Sequence, residues 1–321
     1  MAFFDAPMPF IRRVITSARS RRHWRSYPFL GLMVFLASTM IAPSWAEDAP
    51  VLMNPPSADH FTGKVIFLEL ITPDLAGSEA FYGTLFGWRF HETRIGRNRF
   101  AEASLDGHAV GGLIERDFPT GDRRKPSWLG FISVPNVDSI KQQAVAMGGK
   151  VLHAPRDIPN RGRDAVLADP RGAVFGVLHS TSGDPADELV DPGDWIWTSL
   201  LTPDPDHDAG FYQSLFDYDV FEVASNPIAS QHLVLSSDKY ARASVNSLPS
   251  SSQRVHAHWL NYVRVNDAVQ TAQQIKSMGG HILVEPHADR HGGKIAVVAD
   301  PQGATFGLFE WGPDEDNTVT K

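Results

Sequence analysis

Leu70-Ile71-Thr72-Pro73-Asp74, followed by Phe81-Tyr82 and Leu85-Phe86, returns 130 residues later as Leu200-Leu201-Thr202-Pro203-Asp204, Phe211-Tyr212 and Leu215-Phe216. Further on, Met147-Gly148-Gly149 recurs as Met278-Gly279-Gly280, and Ala168-Asp169-Pro170 with Gly172, Phe175 and Gly176 recurs as Ala299-Asp300-Pro301 with Gly303, Phe306 and Gly307, now at an offset of 131. A register held through one inserted residue means two copies of one fold. A chain of 321 residues accommodates both, at about 100–200 residues per domain.

Within each copy a second period shows. Val65 to Ile71 is an apolar run ended by Pro73, and so a strand. Asp74 stands as a helix N-cap, Ala76, Ala80, Phe81, Leu85 and Phe86 recur at helical spacing, and Gly87 ends the turn. Three short strands follow, around Trp88 to Glu92, Arg99 to Leu105 and Val110 to Ile114. From Trp128 the grammar restarts with a strand to Val134, a helix from Val137 to Met147, and strands near Lys150 to His153, Asp164 to Ala168 and Ala173 to His179. Each copy is thus two βαβββ modules, an α+β architecture of four modules.

The first residues are of another kind. Six Arg precede an apolar run from Tyr27 to Ala42, and Ser44-Trp45-Ala46 precedes Glu47-Asp48. This pattern predicts a secretory signal peptide over 1–46, cleaved after Ala46, rather than a stable membrane anchor, because the apolar run is short of the ~20 residues that span a bilayer. Ser20-Arg21-Arg22-His23-Trp24 loosely resembles a twin-arginine signal. The expected location is periplasmic or secreted. The remaining boundaries are a linker over 47–63, a first domain over 64–182, a Pro- and Asp-containing linker over 183–194, a second domain over 195–312 and a tail over 313–321.

The chain has no Cys, so neither disulfides nor thiolate chemistry is available to it. Removing the leader's net +5 (six Arg against Asp5) from the formal −8 leaves about −13. So acidic a surface argues against a nucleic-acid partner, since phosphate binding relies on Lys and Arg. No Gly-rich phosphate loop, nucleophile elbow or HExxH is present.

The stretch Glu69-Leu70-Ile71-Thr72-Pro73-Asp74 leading to Phe81-Tyr82, closed by Leu167-Ala168-Asp169-Pro170 and Gly172-Ala173-Val174-Phe175-Gly176, resembles the vicinal-oxygen-chelate superfamily of glyoxalases, bleomycin-resistance proteins and extradiol dioxygenases. The resemblance covers Val65 to about Trp311. It implies two tandem domains in which paired βαβββ modules curl their sheets around open cavities. It also implies that metal-binding members hold a divalent ion with His, Gln or Glu from first and last strands, leaving positions for substrate.

Carried over residue by residue, the first-strand ligand position falls on Glu69 and the last-strand position on His179, while Leu129 stands where an imidazole is expected. In the second copy these positions are Ser199, Glu310 and Leu260. His258, two residues before Leu260, shares its face about 6.5–7 Å away and offers a rescued pairing with Glu310. Trp197 shares the parity of Ser199 and is a candidate wall for a planar ligand. The candidate ligand-binding set is therefore Glu69, Trp197, Ser199, His258 and Glu310, with Glu69, His179 and Glu310 as candidate metal ligands and Glu69 and Glu310 as candidate general bases.

Three ligands are usual for a catalytic divalent metal, and neither copy shows three. The leading expectation is an exported binder of a small organic molecule without an intact three-ligand centre. The alternative is a metal-dependent lyase, isomerase or dioxygenase of the glyoxalase or extradiol type. A third is a scaffold whose cavities are filled by its own aromatic side chains.

Overall fold

The computed structural model describes residues 49–119, 125–222, 232–248, 256–289 and 293–311. The expected signal peptide and the 313–321 tail lie outside these residues. Among the described residues no helix is long and apolar enough to cross a membrane.

The first copy runs β1 (Val65–Thr72), α1 (Leu75–Phe86), β2 (Arg89–Ile95), β3 (Asn98–Leu105), β4 (His108–Glu115), β5 (Ser127–Ser133), α2 (Val137–Ala146), β6 (Lys150–Ile158), β7 (Gly162–Ala168) and β8 (Val174–Ser180). The second repeats this as β9 (Trp195–Thr202), α3 (Pro205–Phe216), β10 (Asp219–Glu222), β11 (His232–Ser237), β12 (Tyr240–Ser247), β13 (His258–Val265), α4 (Ala268–Ser277), β14 (His281–Ala288), β15 (Lys294–Ala299) and β16 (Thr305–Glu310). The βαβββ grammar is as read, with β6 extending five residues beyond its expected end at His153.

Each copy folds into one eight-stranded sheet, in the orders β2-β3-β4-β1-β5-β8-β7-β6 and β10-β11-β12-β9-β13-β16-β15-β14. The two modules of a copy join edge to edge, because β1 pairs antiparallel with β5, and β9 with β13. The register slips at the same place in both, between Val65 and Phe67 and between Trp195 and Trp197. Such a bulge bends its strand and sharpens the local twist.

The repeated motifs now have mechanical reasons. Asp74 and Asp204 cap their helices by accepting from the amides of Gly77 (2.9 Å) and His207 (3.4 Å). Gly148 and Gly279 both sit at φ 89°, the left-handed conformation that ends α2 and α4. In the Asp-Pro loops, Asp169 Oδ1 accepts from the amides of Arg171 and Ala173, and Asp300 Oδ1 from those of Gln302 and Ala304.

The other oxygen of each Asp serves the opposite copy. The Tyr82 hydroxyl donates to Asp300 Oδ2 (3.0 Å) and accepts from Trp128 Nε1 (2.9 Å). Its counterpart Tyr212 donates to Asp169 Oδ2 (3.1 Å) and accepts from Trp259 Nε1 (2.9 Å). The apolar cores cross in the same way: one joins Tyr82 and Leu70 to Ile275 and Phe306, and the other joins Ile140 and Phe175 to Leu200 and Tyr212. The helices therefore pack between the two sheets, leaving the concave faces for the cups. The linker residue Asp184 is buried, accepting from Phe61 N (2.7 Å) and Ser133 Oγ (2.5 Å), so the joining segment is tied to the first sheet.

Candidate functional site

Strand alternation decides which side chains enter the cups. Along β1, Leu68 and Leu70 enter the helical core, so Phe67 and Glu69 face the other way, into the first cup. Opposite Glu69 in β5 stands Leu129. Gly176 lies beneath Phe131, whose ring is 2.4 Å from where a Cβ would sit, and Gly307 lies equally beneath Tyr262 at 2.0 Å. The Gly of the repeated F-G pair thus leaves room for an aromatic ring in each cup.

Around Glu69 the first cup gathers Phe67, Phe100, Phe131, Arg161, Asp164 and Leu178. Asp164 is 3% exposed and holds Arg156 in a fork, 2.9 and 3.2 Å from its two oxygens. Arg161 is 4% exposed and lies over the Phe67 ring, 4.2 Å from its centroid. Burial, with the Asp164 carboxylate adding repulsion, pushes the Glu69 carboxyl up to about 7. Burial also raises Glu102, opposed by Arg161.

The cup is nevertheless nearly full. Ala49 and Leu52 are buried in it, and Arg161 Nε donates to Pro50 O at 2.8 Å. About 20 Å³ remains, room for one water. The segment read as a 47–63 linker thus sends Ala49, Pro50 and Leu52 into the first cup.

The second cup has different chemistry. Ser199 Oγ lies 2.7 Å from Ser244 Oγ, which accepts from Trp197 Nε1 (3.0 Å) and Asn246 Nδ2 (3.1 Å). The Tyr262 hydroxyl pairs with Ser199, and burial raises its pKa. His232 Nδ1 meets Asn246 Oδ1 at the rim. Ser199, Ser244 and Tyr262 are buried, whereas Trp197, His232 and Asn246 are half-buried. The result is a floor of neutral donors and acceptors beneath an aromatic wall.

Two of the expected ligands fall on the wrong face. Phe175 and Val177 enter the helical core, so alternation carries His179 to that side of β8, away from Glu69. There it stacks on His60 (4.9 Å) with Nδ1 3.0 Å from Val134 O. Phe306 and Leu308 do the same for Glu310, whose Oε2 accepts from Ala268 N at the start of α4 (2.9 Å) and whose Oε1 pairs with Lys294 (3.0 Å). Glu310 is a helix-capping carboxylate, not a cavity ligand or base.

The rescued His258–Glu310 pairing also fails. Glu310 is level with Val265 and His258 with Leu201 at the far end of β13, roughly 20 Å apart along the strand. His258 stays at the edge of the cup face, half-buried, its Nδ1 2.9 Å from His256 O.

The donor set does not fit the metal centre of the wider fold family. Glu69 faces Leu129, Ser199 faces Leu260, and among the described residues no three His, Cys, Asp or Glu side chains converge on one point. Trp197 and Ser199, grouped by parity in the sequence, both bond to Ser244, whereas Arg161, Asp164, Ser244 and Tyr262 were not singled out. Alternation of Asp164 with Val166 in β7 was the one available sign of an inward carboxylate.

The family model described as Glyoxalase/Bleomycin resistance protein/Dioxygenase superfamily matches residues 58–177 and 196–308. A Mycobacterium bovis protein provisionally named glyoxylase CFP32 is 29% identical over 266 residues, covering 81% of this chain and all of its own. Anthracycline biosynthesis protein DnrV of Streptomyces peucetius is 26% identical over 260 residues, covering 77% of this chain and 93% of its own. Among solved structures, the Mn(II)-bound glyoxalase from Novosphingobium aromaticivorans aligns with a TM-score of 0.55 at 16% identity, covering 78% of this chain and 83% of that one. The 2,3-dioxygenase LapB from Pseudomonas sp. KL28 aligns at 0.54 and 14%, covering 78% and 94%. These two share its fold.

Proposed function

We propose that this chain, which belongs to the Glyoxalase/Bleomycin resistance protein/Dioxygenase superfamily, binds a small organic molecule in its second cup without a three-ligand metal centre. The observation that carries this reading is the neutral array Trp197–Ser244–Ser199–Tyr262, occupying the place where a metal-dependent member needs charged or imidazole ligands. Hydroxyls and an indole edge recognise carbonyl and hydroxyl groups, and the Trp197 face suits a planar ring. The relative named for anthracycline biosynthesis makes polycyclic aromatic ketones the first ligands to try.

The test is titration of chelator-treated protein with 1,8-dihydroxyanthraquinone, followed by tryptophan quenching. Saturable binding weakened about tenfold or more by joint Ser199→Ala and Ser244→Ala replacement supports the reading, since each lost hydrogen bond costs about 0.5–1.5 kcal/mol. Binding that requires added divalent metal, or that ignores the serines, sinks it.

A second reading rests on Glu69. A carboxyl raised to about 7 is poised to exchange a proton near neutral pH, which suits general-base chemistry in a lyase or isomerase once a substrate displaces the 49–53 segment that fills the cup. Because His179 lies on the other face of β8, no step in that reading uses a Glu69–His179 metal pair. Turnover abolished by Glu69→Gln, with an ascending pH limb near 7, would favour it.

We also infer export to the periplasm or beyond, with cleavage after Ala46, from the basic leader and its apolar run. Mass spectrometry of the protein recovered outside the cytoplasm checks this: a first residue of Glu47 is expected, and an intact leader in the membrane fraction would contradict it.

A further inference from the structure

The first cup already holds an occupant, and the occupant belongs to the chain itself. Ala49 and Leu52 are buried against Phe67, Phe100, Phe131 and Leu178, while Val51 between them stays exposed. Pro50 O takes the Nε–H of Arg161 at 2.8 Å. Beyond this the segment is tied to Ser182, whose Oγ accepts from Met53 N (2.9 Å) and whose carbonyl accepts from Ser57 N (2.9 Å). Residues 49–52 thus reach into the cup from an anchored end.

The bond to Pro50 leaves Arg161 half used. The Nε–H and one N–H of Nη2 lie parallel on one edge of a guanidinium, spaced to meet both oxygens of a carboxylate. Arg156 presents this edge to Asp164 (2.9 and 3.2 Å), and Arg163 presents it to Asp138 (2.7 and 3.2 Å). Arg161 presents it to a single carbonyl, so Nε is satisfied and Nη2 is buried without an acceptor. One oxygen stands where two would fit, and the unmet N–H costs stability. No carboxylate of the cup supplies the second: Asp164 is held by Arg156, and Glu69 and Glu102 act on Arg161 through space without forming an ion pair.

We propose that the first cup binds a small apolar monocarboxylate, which takes both prongs of Arg161 in place of the Pro50 carbonyl and expels residues 49–52. The segment is then an internal competitor that keeps the cup closed until such a ligand arrives. The ligand's apolar body takes the place of Ala49 and Leu52 among the phenylalanines. A single negative charge is matched: a phosphate ester would bring two to one open fork that already has Glu69 and Glu102 nearby. Burial, by raising Glu69 to about 7, keeps that carboxyl mostly protonated on the acid side of neutrality and lessens its repulsion of the anion. None of this requires turnover at Glu69 or a ligand in the second cup.

The experiment titrates the full chain at about pH 6 with phenylacetate and with phenylacetamide, the neutral amide of the same body, using calorimetry for affinity. NMR on the unaltered protein follows the Leu52 methyl groups, which the surrounding phenylalanine rings shift while the segment is seated. Expected are saturable phenylacetate binding at least about tenfold tighter than that of the amide, and Leu52 methyl signals that move to solvent-exposed positions at saturation. Leu52→Ala should bind phenylacetate about tenfold more tightly, because it weakens the competing closed form, and Arg161→Gln should lose the preference for the acid. Absence of saturable phenylacetate binding, equal affinity for the amide, Leu52 methyls unmoved at saturation, no tightening in Leu52→Ala, or a preference that survives Arg161→Gln would each overturn the proposal. Binding in the second cup would leave the Leu52 methyls and the dependence on Arg161 untouched, so the two sites are told apart. A variant that gains affinity is folded, so loss of structure cannot imitate the expected result.

Discussion

Replacing Glu69 by Gln tests the claim that this carboxyl is enclosed in the first cup. Glutamine keeps the size and loses the charge. The folded-state pKa of about 7 lies above the ordinary 4.5, so between these values the native protein binds more protons than the unfolded chain. By linkage, stability then falls as pH rises through that window and stays at its lower level above about pH 7. At about 1.36 kcal/mol per pKa unit, the ceiling is about 3 kcal/mol, and solvent reaching the partly exposed side chain trims it to about 2 kcal/mol. Urea unfolding of wild type and Glu69→Gln at matched ionic strength, from pH 4.5 to 8, reads the difference directly; other titrating groups, shared by both proteins, cancel to first order. The variant should match wild type near pH 4.5 and exceed it by about 2 kcal/mol at pH 8. A difference that stays constant across the range would refute the enclosed carboxyl, whatever its sign.

The crossed tyrosines give a second check: Tyr82→Phe or Tyr212→Phe leaves a buried Asp oxygen and a Trp N–H without their partner, and each should cost about 1–3 kcal/mol in denaturant unfolding. A loss under about 0.5 kcal/mol in both would argue against the crossed pairing of the copies. In the first cup, Leu52→Ala should lower stability by about 2 kcal/mol, the low end for a buried leucine in a peripheral segment, and speed exchange of the Met53 amide, which Ser182 Oγ holds at 2.9 Å. An unchanged exchange rate would mean that the segment is not held by its leucine.

The repeat was legible because its residues answer to local geometry. Asp74 and Asp204 need only their own helix starts, and Met-Gly-Gly needs only a left-handed stop. The cup face of β1 could likewise be read, since Leu68 and Leu70 frame Glu69 within one strand. The same count along β8 and β16 would have turned His179 and Glu310 to the helices, as Phe175 and Phe306 anchor those strands in the core; matching the end of a motif overrode the period of the strand. Asp164 showed only through its alternation with Val166, and Arg161 was not legible, because its burial depends on the 49–53 segment, whose Pro50 carbonyl it binds. Ser244 was hidden for a non-local reason: it reaches Ser199 through the parallel pairing of β12 with β9, 45 residues apart.

Superposed by register, the two cups show why their chemistry diverged as sets rather than singly. Glu69 corresponds to Ser199, each lying opposite a leucine in the neighbouring strand, and Gly112 corresponds to Ser244, each lying opposite that first-strand residue on its other side. In the first cup a glycine leaves space for Phe67 and Phe100 beside a carboxylate raised by burial and by Asp164, with Arg156 and Arg161 opposing. In the second a serine fills that space and bonds to three neighbours at once. A carboxylate placed at Ser199 would meet the hydroxyls of Ser244 and Tyr262, and a serine at Glu69 would leave Arg161 facing one fewer negative charge in a nearly closed space. Burial makes each inward residue depend on its neighbours, so duplication yielded one cup organised around paired charges and another around neutral hydrogen bonds.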